Sequence, residues 1–199
     1  TRLGILGTGI QGRLHLEVLA LTRAFDTVHI CSPSGGTNRA EAMAEKADTA
    51  FGGRPRVVAC GSVADVVRGA GVLVTATNAR VPLFEDDLIV GDCHVNVIGC
   101  FRPGAMEIPP QLMSRARSVV ADQVERFRDH WGSEASPEFD RCALNVVTSL
   151  AEAIARDRAK PAPGGLSLFM SEGMAMEDAI AARLVYERAI EAGVGQKLA

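Results

Sequence analysis

The stretch LGILGTGIQGRLHLEVLA, residues 3–20, decides the fold. It opens with a short apolar run, typical of a buried strand, and continues with apolar residues three and four apart, typical of a helix. Between the two lies G-x-G-x-x-G, in which Gly7 makes the tight turn, Gly9 lets backbone approach a pyrophosphate and Gly12 lets the helix close on the strand. Because the motif follows a predicted strand and opens a predicted helix, it predicts a dinucleotide site on the helix N-terminus. The alternative is a purely structural glycine turn.

The composition is that of an ordinary globular chain. Of its 199 residues, 47% are hydrophobic and 23% are charged. The net charge of −3 and the lack of a basic stripe argue against a nucleic-acid partner. No apolar stretch approaches the ~20 residues that a membrane-spanning helix needs, and no signal-peptide pattern opens the chain. We therefore expect neither a nucleic-acid nor a membrane partner.

The cysteines and histidines are scattered. There is no C-x-x-C, and each cysteine lies beside apolar residues, so we expect buried free thiols in a cytoplasmic protein. The histidines are too dispersed for a metal site, and we expect no metal. These residues are Cys31, Cys60, Cys93, Cys100 and Cys142, and His15, His29, His94 and His130.

The second predicted strand, residues 27–31, runs into a loop without an acidic residue. A NAD-binding domain would place an Asp or Glu there, about 20 residues beyond the glycines, to hold the ribose 2′-OH. This loop offers instead Ser32, Ser34, Asn38 and Arg39, and a guanidinium binds phosphate through paired N–H bonds. The loop therefore favours NADP, with NAD as the alternative. A Ser/Gly turn that caps the next helix is the structural alternative.

Further predicted strands at 56–60, 72–77, 94–99 and 117–122 alternate with predicted helices. This alternation predicts an α/β fold with a parallel, doubly wound sheet. The strand at 72–77 ends in the small residues Thr75, Ala76 and Thr77, at the edge of the sheet where ligands bind, so a cofactor can lie close over them. The alternative is an ordinary β-branched strand end.

The composition changes after Asp122. Residues 123–140 are polar and weakly patterned, and residues 144–156 are predicted to form a helix. Residues 166–190 end in a long amphipathic helix with apolar positions at Ile180, Leu184 and Val185. We expect this C-terminal part to pack back on the sheet.

Several stretches taken together resemble the ornithine cyclodeaminase/mu-crystallin family, and the set covers nearly the whole chain. The resemblance implies a Rossmann domain at 1–140 that carries NAD(P), and a C-terminal helical segment at 141–199. It also implies an N-terminal domain, not included in this sequence, that mediates homodimer formation and binds the substrate carboxylate. The stretches are GTGIQGRLHL (7–16), TATN (75–78), GDCHVNVIG (91–99), RPGAMEI (102–108), VVAD (119–122) and LFMSEGMAMEDAIAARLVYERA (168–189).

The resemblance also implies roles for particular positions. Ser171 matches a position close to the cofactor, although a turn or helix start explains it nearly as well. Residues that cradle the diphosphate are Gly7, Thr8, Gly9, Ile10 and Gln11; residues that pass beneath the cofactor are Thr75, Ala76 and Thr77; residues that face the nicotinamide are Val97 and Gly99.

The activity implied by the resemblance is hydride transfer between NAD(P)H and an imine, ketimine or amino acid. The alternatives are a cyclodeaminase-type lyase that recycles bound NAD, and a non-catalytic NADPH-binding protein. Lyase members carry an aspartate where this sequence has Phe101, and a phenyl ring cannot transfer a proton. We assign no catalytic residue. Glu107 is expected at the surface or as a helix cap, and the alternative is that it orients the loop or touches substrate. Asp178 is expected to stabilise the start of the last helix.

Overall fold

The computed structural model describes residues 1–99, 105–131, 147–155 and 164–196. Strands and helices alternate along these residues. The strands are β1 Arg2–Leu6, β2 Thr27–Cys31, β3 Arg56–Ala59, β4 Val72–Thr75, β5 Cys93–Val97, β6 Ser118–Ala121, β7 Val147–Ser149 and β8 Leu166–Met170. The helices are α1 Ile10–Thr22, α2 Thr37–Phe51, α3 Val63–Val67, α4 Gln111–Arg115, α5 Val124–Trp131, α6 Leu150–Ala155 and α7 Ala175–Glu191.

The described strands form one parallel sheet of eight, in the order β3-β2-β1-β4-β5-β8-β6-β7. The chain moves outward from β1 through β2 to β3 and then crosses back to β4 on the other side of β1. Such a switch point opens a crevice at the carboxyl ends of β1 and β4, which is where open α/β sheets bind ligands. The expected Rossmann-like parallel sheet is confirmed.

Each face of the sheet carries its own hydrophobic core. On one face, α1 and α2 pack on β1, β2 and β4, with Leu16 and Ile30 among the buried side chains. On the other face, α3, α4 and α5 pack on the sheet, with Leu112 and Phe127 among the buried side chains. Because the helices lie on both faces, the described sheet is doubly wound, and its carboxyl edge stays open.

The C-terminal part of the chain differs from the helical segment expected there. Residues 147–149, which were predicted to be helical, form β7, and residues 166–170 form β8 between β5 and β6 in the interior of the sheet. A short apolar run suits a buried strand as well as a buried helix, so periodicity alone does not separate the two. The division of the chain at residue 140 stays a prediction, but strands on both sides of it build the same sheet.

Helix α7 has no buried residue. The side chains of Ile180, Leu184 and Val185 are 64%, 54% and 69% exposed, so this helix does not pack on the sheet as expected. The C-terminal part contributes β8 to the sheet instead. An apolar stripe predicts that a helix has a packing partner, but it does not say which surface that partner is.

Three cysteines lie within the described residues, Cys31, Cys60 and Cys93, and all three are buried free thiols, as expected. Burial raises the pKa of the Cys93 thiol to about 12. Cys100, Cys142 and residues 144–146 and 156 of the predicted helix lie outside the described residues. Among the helices described, none combines the length and the apolar character needed to cross a membrane.

Candidate dinucleotide site

The glycine-rich turn between β1 and α1 is held by close backbone contacts. Gly7 has a φ of +115°, which favours glycine, and its N–H donates to the Cys31 carbonyl oxygen over 2.9 Å. A Cβ atom added at Gly7 would lie 2.2 Å from the Ala76 carbonyl oxygen. One added at Gly12 would lie 2.0 Å from the Gly7 carbonyl oxygen. The packing of the protein itself therefore requires both glycines.

Gly9 differs from its two neighbours in the motif. A Cβ atom added at Gly9 would meet no atom within 4 Å, and its φ of −74° suits any residue. Gly9 is also the N-cap of α1, where no side chain caps the helix. The first backbone N–H groups of α1 therefore face open space, and together with the helix dipole they favour an anion there.

A cleft of about 520 Å³ lies over this helix start, at the carboxyl ends of β1, β4, β5 and β8. Its volume is that of a small-molecule site. The predicted site residues that it brings together are Gly9, Ile10, Gln11, Ala76, Thr77, Gly99 and Ser171. The lining residues that the sequence analysis missed are Asn78, Ile98, Glu172 and Gly173.

Three predicted residues lie beneath this cleft instead of lining it. Gly7 is buried in the turn, and the side chains of Thr75 and Val97 are fully buried. Successive side chains of a strand point to opposite faces of the sheet. When one residue at a strand end is buried in the core, its neighbour can therefore face the cleft. Ile98, next to Val97, lines the cleft for this reason.

The residues predicted to read the adenosine ribose meet at the end of β2. The Thr8 hydroxyl donates to the Ser32 hydroxyl oxygen over 3.2 Å, which links the glycine turn to this loop. A Cβ atom added at Gly35 would lie 2.5 Å from Ser32 Oγ and 2.7 Å from Arg39 Cδ, so the Arg39 side chain lies across Gly35 toward Ser32. Hydroxyl groups and a guanidinium are thereby brought to one place.

A second groove, of about 460 Å³, lies between α1 and α2 and starts at Thr8. Arg39 and Lys46 add positive charge to its wall, where Arg13 is paired with Glu17. Ser34 and Asn38 are exposed nearby on the loop and at the start of α2, and they line neither this groove nor the larger cleft. Of the predicted ribose residues, only Ser32 and Arg39 are therefore brought together.

Glu107 is fully buried, so the expected surface or capping position is wrong. Its Oε1 accepts the Thr77 N–H over 2.5 Å and the Thr77 hydroxyl over 2.6 Å. Its Oε2 accepts the Thr75 hydroxyl over 2.8 Å and the Gly99 N–H over 2.7 Å. One carboxylate thus joins the ends of β4 and β5 below the cleft, in agreement with the alternative that Glu107 orients the loop.

Asp122 holds the turn that follows β8 through hydrogen bonds to its backbone. It is 8% exposed, and its carboxylate accepts the backbone N–H groups of Gln123, Glu172 and Gly173. The Gln123 side-chain amide donates in turn to the Gly173 carbonyl oxygen. Asp122 and this turn also line a further cleft of about 630 Å³, which shares Gln11, Ile98 and Ser171 with the first cleft. VVAD (119–122) carried part of the family resemblance, but no role for Asp122 was predicted from the sequence.

His94 is a partly buried histidine within the sheet, away from the cleft. Its Nδ1 lies 2.8 Å from Ser167 Oγ, and its Nε2 lies 3.2 Å from Asn96 Oδ1. Burial lowers the pKa of His94 below its ordinary value, because the charged form loses its hydration. His94 is therefore a structural residue, held by one hydrogen bond to β8 and one within β5.

The sequence profile of the ornithine cyclodeaminase/mu-crystallin family matches residues 1–193. The chain belongs to this family. It is 32% identical over 197 residues to a Delta(1)-pyrroline-2-carboxylate reductase of Bacillus cereus, covering 98% of this chain and 59% of the relative. It is also 32% identical over 184 residues to the ketimine reductase mu-crystallin of Mus musculus, covering 92% and 54%.

A solved structure shares the fold of this chain. The Thermococcus litoralis Delta(1)-pyrroline-2-carboxylate reductase, in complex with NADH and L-proline, matches with a TM-score of 0.88 at 26% identity. That match covers 100% of this chain and 61% of the other. The chain spans about 59% of the length of the Bacillus cereus relative.

Two positions that the family resemblance singled out remain. Phe101, at which the cyclodeaminase members carry aspartate, lies outside the described residues. Asp178 lies exposed in the first turn of α7, where a carboxylate stabilises the positive end of a helix. Asp178 also lines the cleft of about 630 Å³, together with Asp122 and Ser171.

Proposed function

We propose that this chain is the NAD(P)-binding part of an oxidoreductase that transfers a hydride to or from an imine, a ketimine or an amino acid. The observation that carries the proposal is the uncapped start of α1, which lies beside Gly9 and opens onto the cleft. The names of the relatives support it, because both are reductases and the Thermococcus litoralis protein binds NADH and L-proline.

The cleft fits a dinucleotide in shape and in chemistry. The space that a side chain at Gly9 would fill is open, and the backbone N–H groups of Ile10 and Gln11 begin the helix beside it. A diphosphate held there leaves the nicotinamide end of the cofactor for the walls formed by Thr77 and Gly99. When bound, the cofactor supplies the hydride. The chain positions the ring and, through Glu107, keeps those walls in place.

The adenosine end favours NADP. Arg39 lies across Gly35 toward Ser32, and Thr8 donates to the Ser32 hydroxyl, so a 2′-phosphate there would meet a guanidinium and hydroxyl groups. The described loop lacks the carboxylate that a ribose 2′-OH attracts in NAD-binding domains. NAD stays the alternative cofactor.

A calorimetric titration of the purified protein with NADPH and with NADH tests the binding step. We expect binding of both and tighter binding of NADPH. Arg39→Ala is expected to weaken NADPH about tenfold, or about 1.4 kcal/mol, and to leave NADH unchanged. Lys46→Ala is the matched control, because Lys46 lines the groove between α1 and α2 beyond Arg39. Binding of neither dinucleotide by the wild type would contradict the proposal.

Turnover by the full-length enzyme distinguishes the functions that share this site. Net oxidation of NADPH with Δ1-pyrroline-2-carboxylate, the substrate in the relatives' names, supports the reductase. Ammonia release from an amino acid without net use of cofactor would point to the cyclodeaminase-type lyase. Tight NADPH binding without turnover would point to a non-catalytic binding protein. Homodimeric assembly and a cytoplasmic location, both expected from the sequence, stay predictions.

A further inference from the structure

The turn after β8 carries Ser171 at the wall of the cleft, and Asp122 holds that turn from below. The Glu172 N–H lies 2.9 Å from both carboxylate oxygens of Asp122, and the Gly173 N–H lies 2.8 Å from Oδ2. The Ser171 hydroxyl oxygen lies 3.1 Å from the same Oδ2. The Ser171 N–H donates to the Val97 carbonyl oxygen over 2.9 Å, so the position of the residue is held on both sides.

The direction of the hydrogen bond between Ser171 and Asp122 follows from the partners of Asp122. Backbone N–H groups only donate, so the carboxylate that receives those of Gln123, Glu172 and Gly173 acts as an acceptor. A carboxylate has no proton to give, and Ser171 has one hydroxyl proton, which therefore points to Asp122. The Ser171 oxygen is left with its lone pairs for whatever enters the cleft.

We infer that Asp122 fixes Ser171 as a hydrogen-bond acceptor, so that the ligand group beside Ser171 is an N–H donor. The inference rests on the proposed function, under which two groups supply such a donor. One is the carboxamide N–H₂ of the nicotinamide, and the other is the N–H of a protonated imine. Asp122 is then a positioning residue that sets the polarity of Ser171.

This polarity has a consequence for selectivity. An acceptor such as a ketone oxygen placed beside Ser171 would face a second set of lone pairs, and it would leave the Ser171 oxygen without a donor. Sites built around a hydrogen bond reject analogues that lack the matching group, because their own polar atoms are then left unpaired. The wall formed by Ser171 therefore favours ligands with an N–H group over analogues in which a carbon or a carbonyl replaces it.

The dissociation constants of cofactor analogues test whether Ser171 accepts or donates. The 3-acetylpyridine analogue of the dinucleotide keeps the carbonyl oxygen of the carboxamide and replaces its N–H₂ group by a methyl group. If Ser171 accepts from the carboxamide, the wild type binds the analogue about 3- to 10-fold more weakly than the natural cofactor. Ser171→Ala is expected to remove this difference, and Asp122→Asn to reduce it, because an amide N–H₂ can donate to the Ser171 oxygen. Ser32→Ala is the control, since it lies at the adenosine end and is expected to weaken both dinucleotides equally.

The second arm measures the substrate. If Ser171→Ala leaves the ratio of the two dissociation constants unchanged, raises KM for the imine in the full-length enzyme and leaves KM for the matching ketone unchanged, the donor is the substrate nitrogen, and the inference holds. An equal rise of KM for the imine and the ketone would overturn it.

Equal weakening of both dinucleotides by Ser171→Ala, with no change in KM, would show a hydroxyl that donates to a carbonyl and would overturn the inference. No effect of Ser171→Ala on either dinucleotide or on KM would overturn it as well. Ser171→Ala decides the question even if Asp122→Asn does not fold. Failure of the wild type to bind any dinucleotide would instead contradict the proposed function.

Discussion

Gly9→Ala tests whether position 9 needs glycine for ligand binding and not for folding. The backbone of Gly9 is extended, with φ −74° and ψ −173°, and an added Cβ atom would meet nothing within 4 Å. The folded protein therefore accepts alanine at this position without strain. Since alanine restricts the unfolded chain more than glycine does, we expect an unchanged or higher free energy of unfolding, by at most about 0.4–1 kcal/mol.

The same methyl group would stand where the account places the diphosphate. It would push the anion away from the N–H groups that begin α1, so we expect the dissociation constant of NADPH to rise at least about tenfold, or about 1.4 kcal/mol. Gly12→Ala is the matched contrast, because its Cβ atom would lie 2.0 Å from the Gly7 carbonyl oxygen. That overlap is expected to cost about 1–3 kcal/mol of stability, and each kcal/mol lowers Tm by about 2–4 °C in a chain of this size.

Thermal denaturation and calorimetric titration of the two variants give the answer together. The account predicts a Gly9→Ala protein with wild-type Tm and impaired cofactor binding, and a Gly12→Ala protein with lowered Tm. A Gly9→Ala protein that binds NADPH as tightly as the wild type would refute the placement of the diphosphate. One that loses as much stability as Gly12→Ala would refute the open space at Gly9.

Three further predictions concern stability. Leu168→Ala in β8 is expected to cost about 2–5 kcal/mol of stability, because Leu168 is 1% exposed in the interior of the sheet. Ile180→Ala on the exposed face of α7 is expected to change stability by less than about 0.5 kcal/mol. Urea denaturation measures both losses, and equal losses would contradict this expectation. Glu107→Gln is expected to cost about 1–3 kcal/mol in the same assay, because an amide cannot accept on both sides, and wild-type stability would contradict the role given to Glu107. The lowered pKa of His94 makes unfolding take up a proton below the ordinary pKa of 6.5, so stability is expected to fall as the pH drops from 6.5 toward the folded-state pKa, and His94→Gln is expected to flatten that slope. An unchanged slope in that variant would show that His94 does not contribute.

The fold and the position of the site were predictable because their signals are local. The apolar run before Gly7 and the helical spacing after Gly12 identify a strand, a turn and a helix within one short stretch. The repeated alternation of strands and helices then leaves few topologies, and the observed parallel sheet is among them. The cleft at the carboxyl edge follows from the switch point beside β1.

The exact lining of the cleft was less predictable, because one residue decides which face of a strand end a side chain occupies. Val97 was predicted to face the nicotinamide but is buried in the core, and Ile98 lines the cleft. Nothing in the local pattern separates these two neighbouring apolar residues, since both suit a strand end.

The buried carboxylates were missed for a different reason. Glu and Asp are mostly exposed residues, so a surface position for Glu107 was the natural expectation. Their burial depends on donors that are distant in sequence: Thr75 and Thr77 for Glu107, and Glu172 for Asp122. Such partners become visible only after the strands are placed in order. The insertion of β8 between β5 and β6 is non-local in the same way.

A crystal structure of the protein with bound NADPH tests the central claim most directly. We expect the diphosphate over Gly9 and the first N–H groups of α1, the nicotinamide against the wall formed by Thr77 and Gly99, and the 2′-phosphate beside Arg39. A diphosphate that lies away from Gly9, or a cleft at Gly9 that stays empty at saturating NADPH, would contradict it.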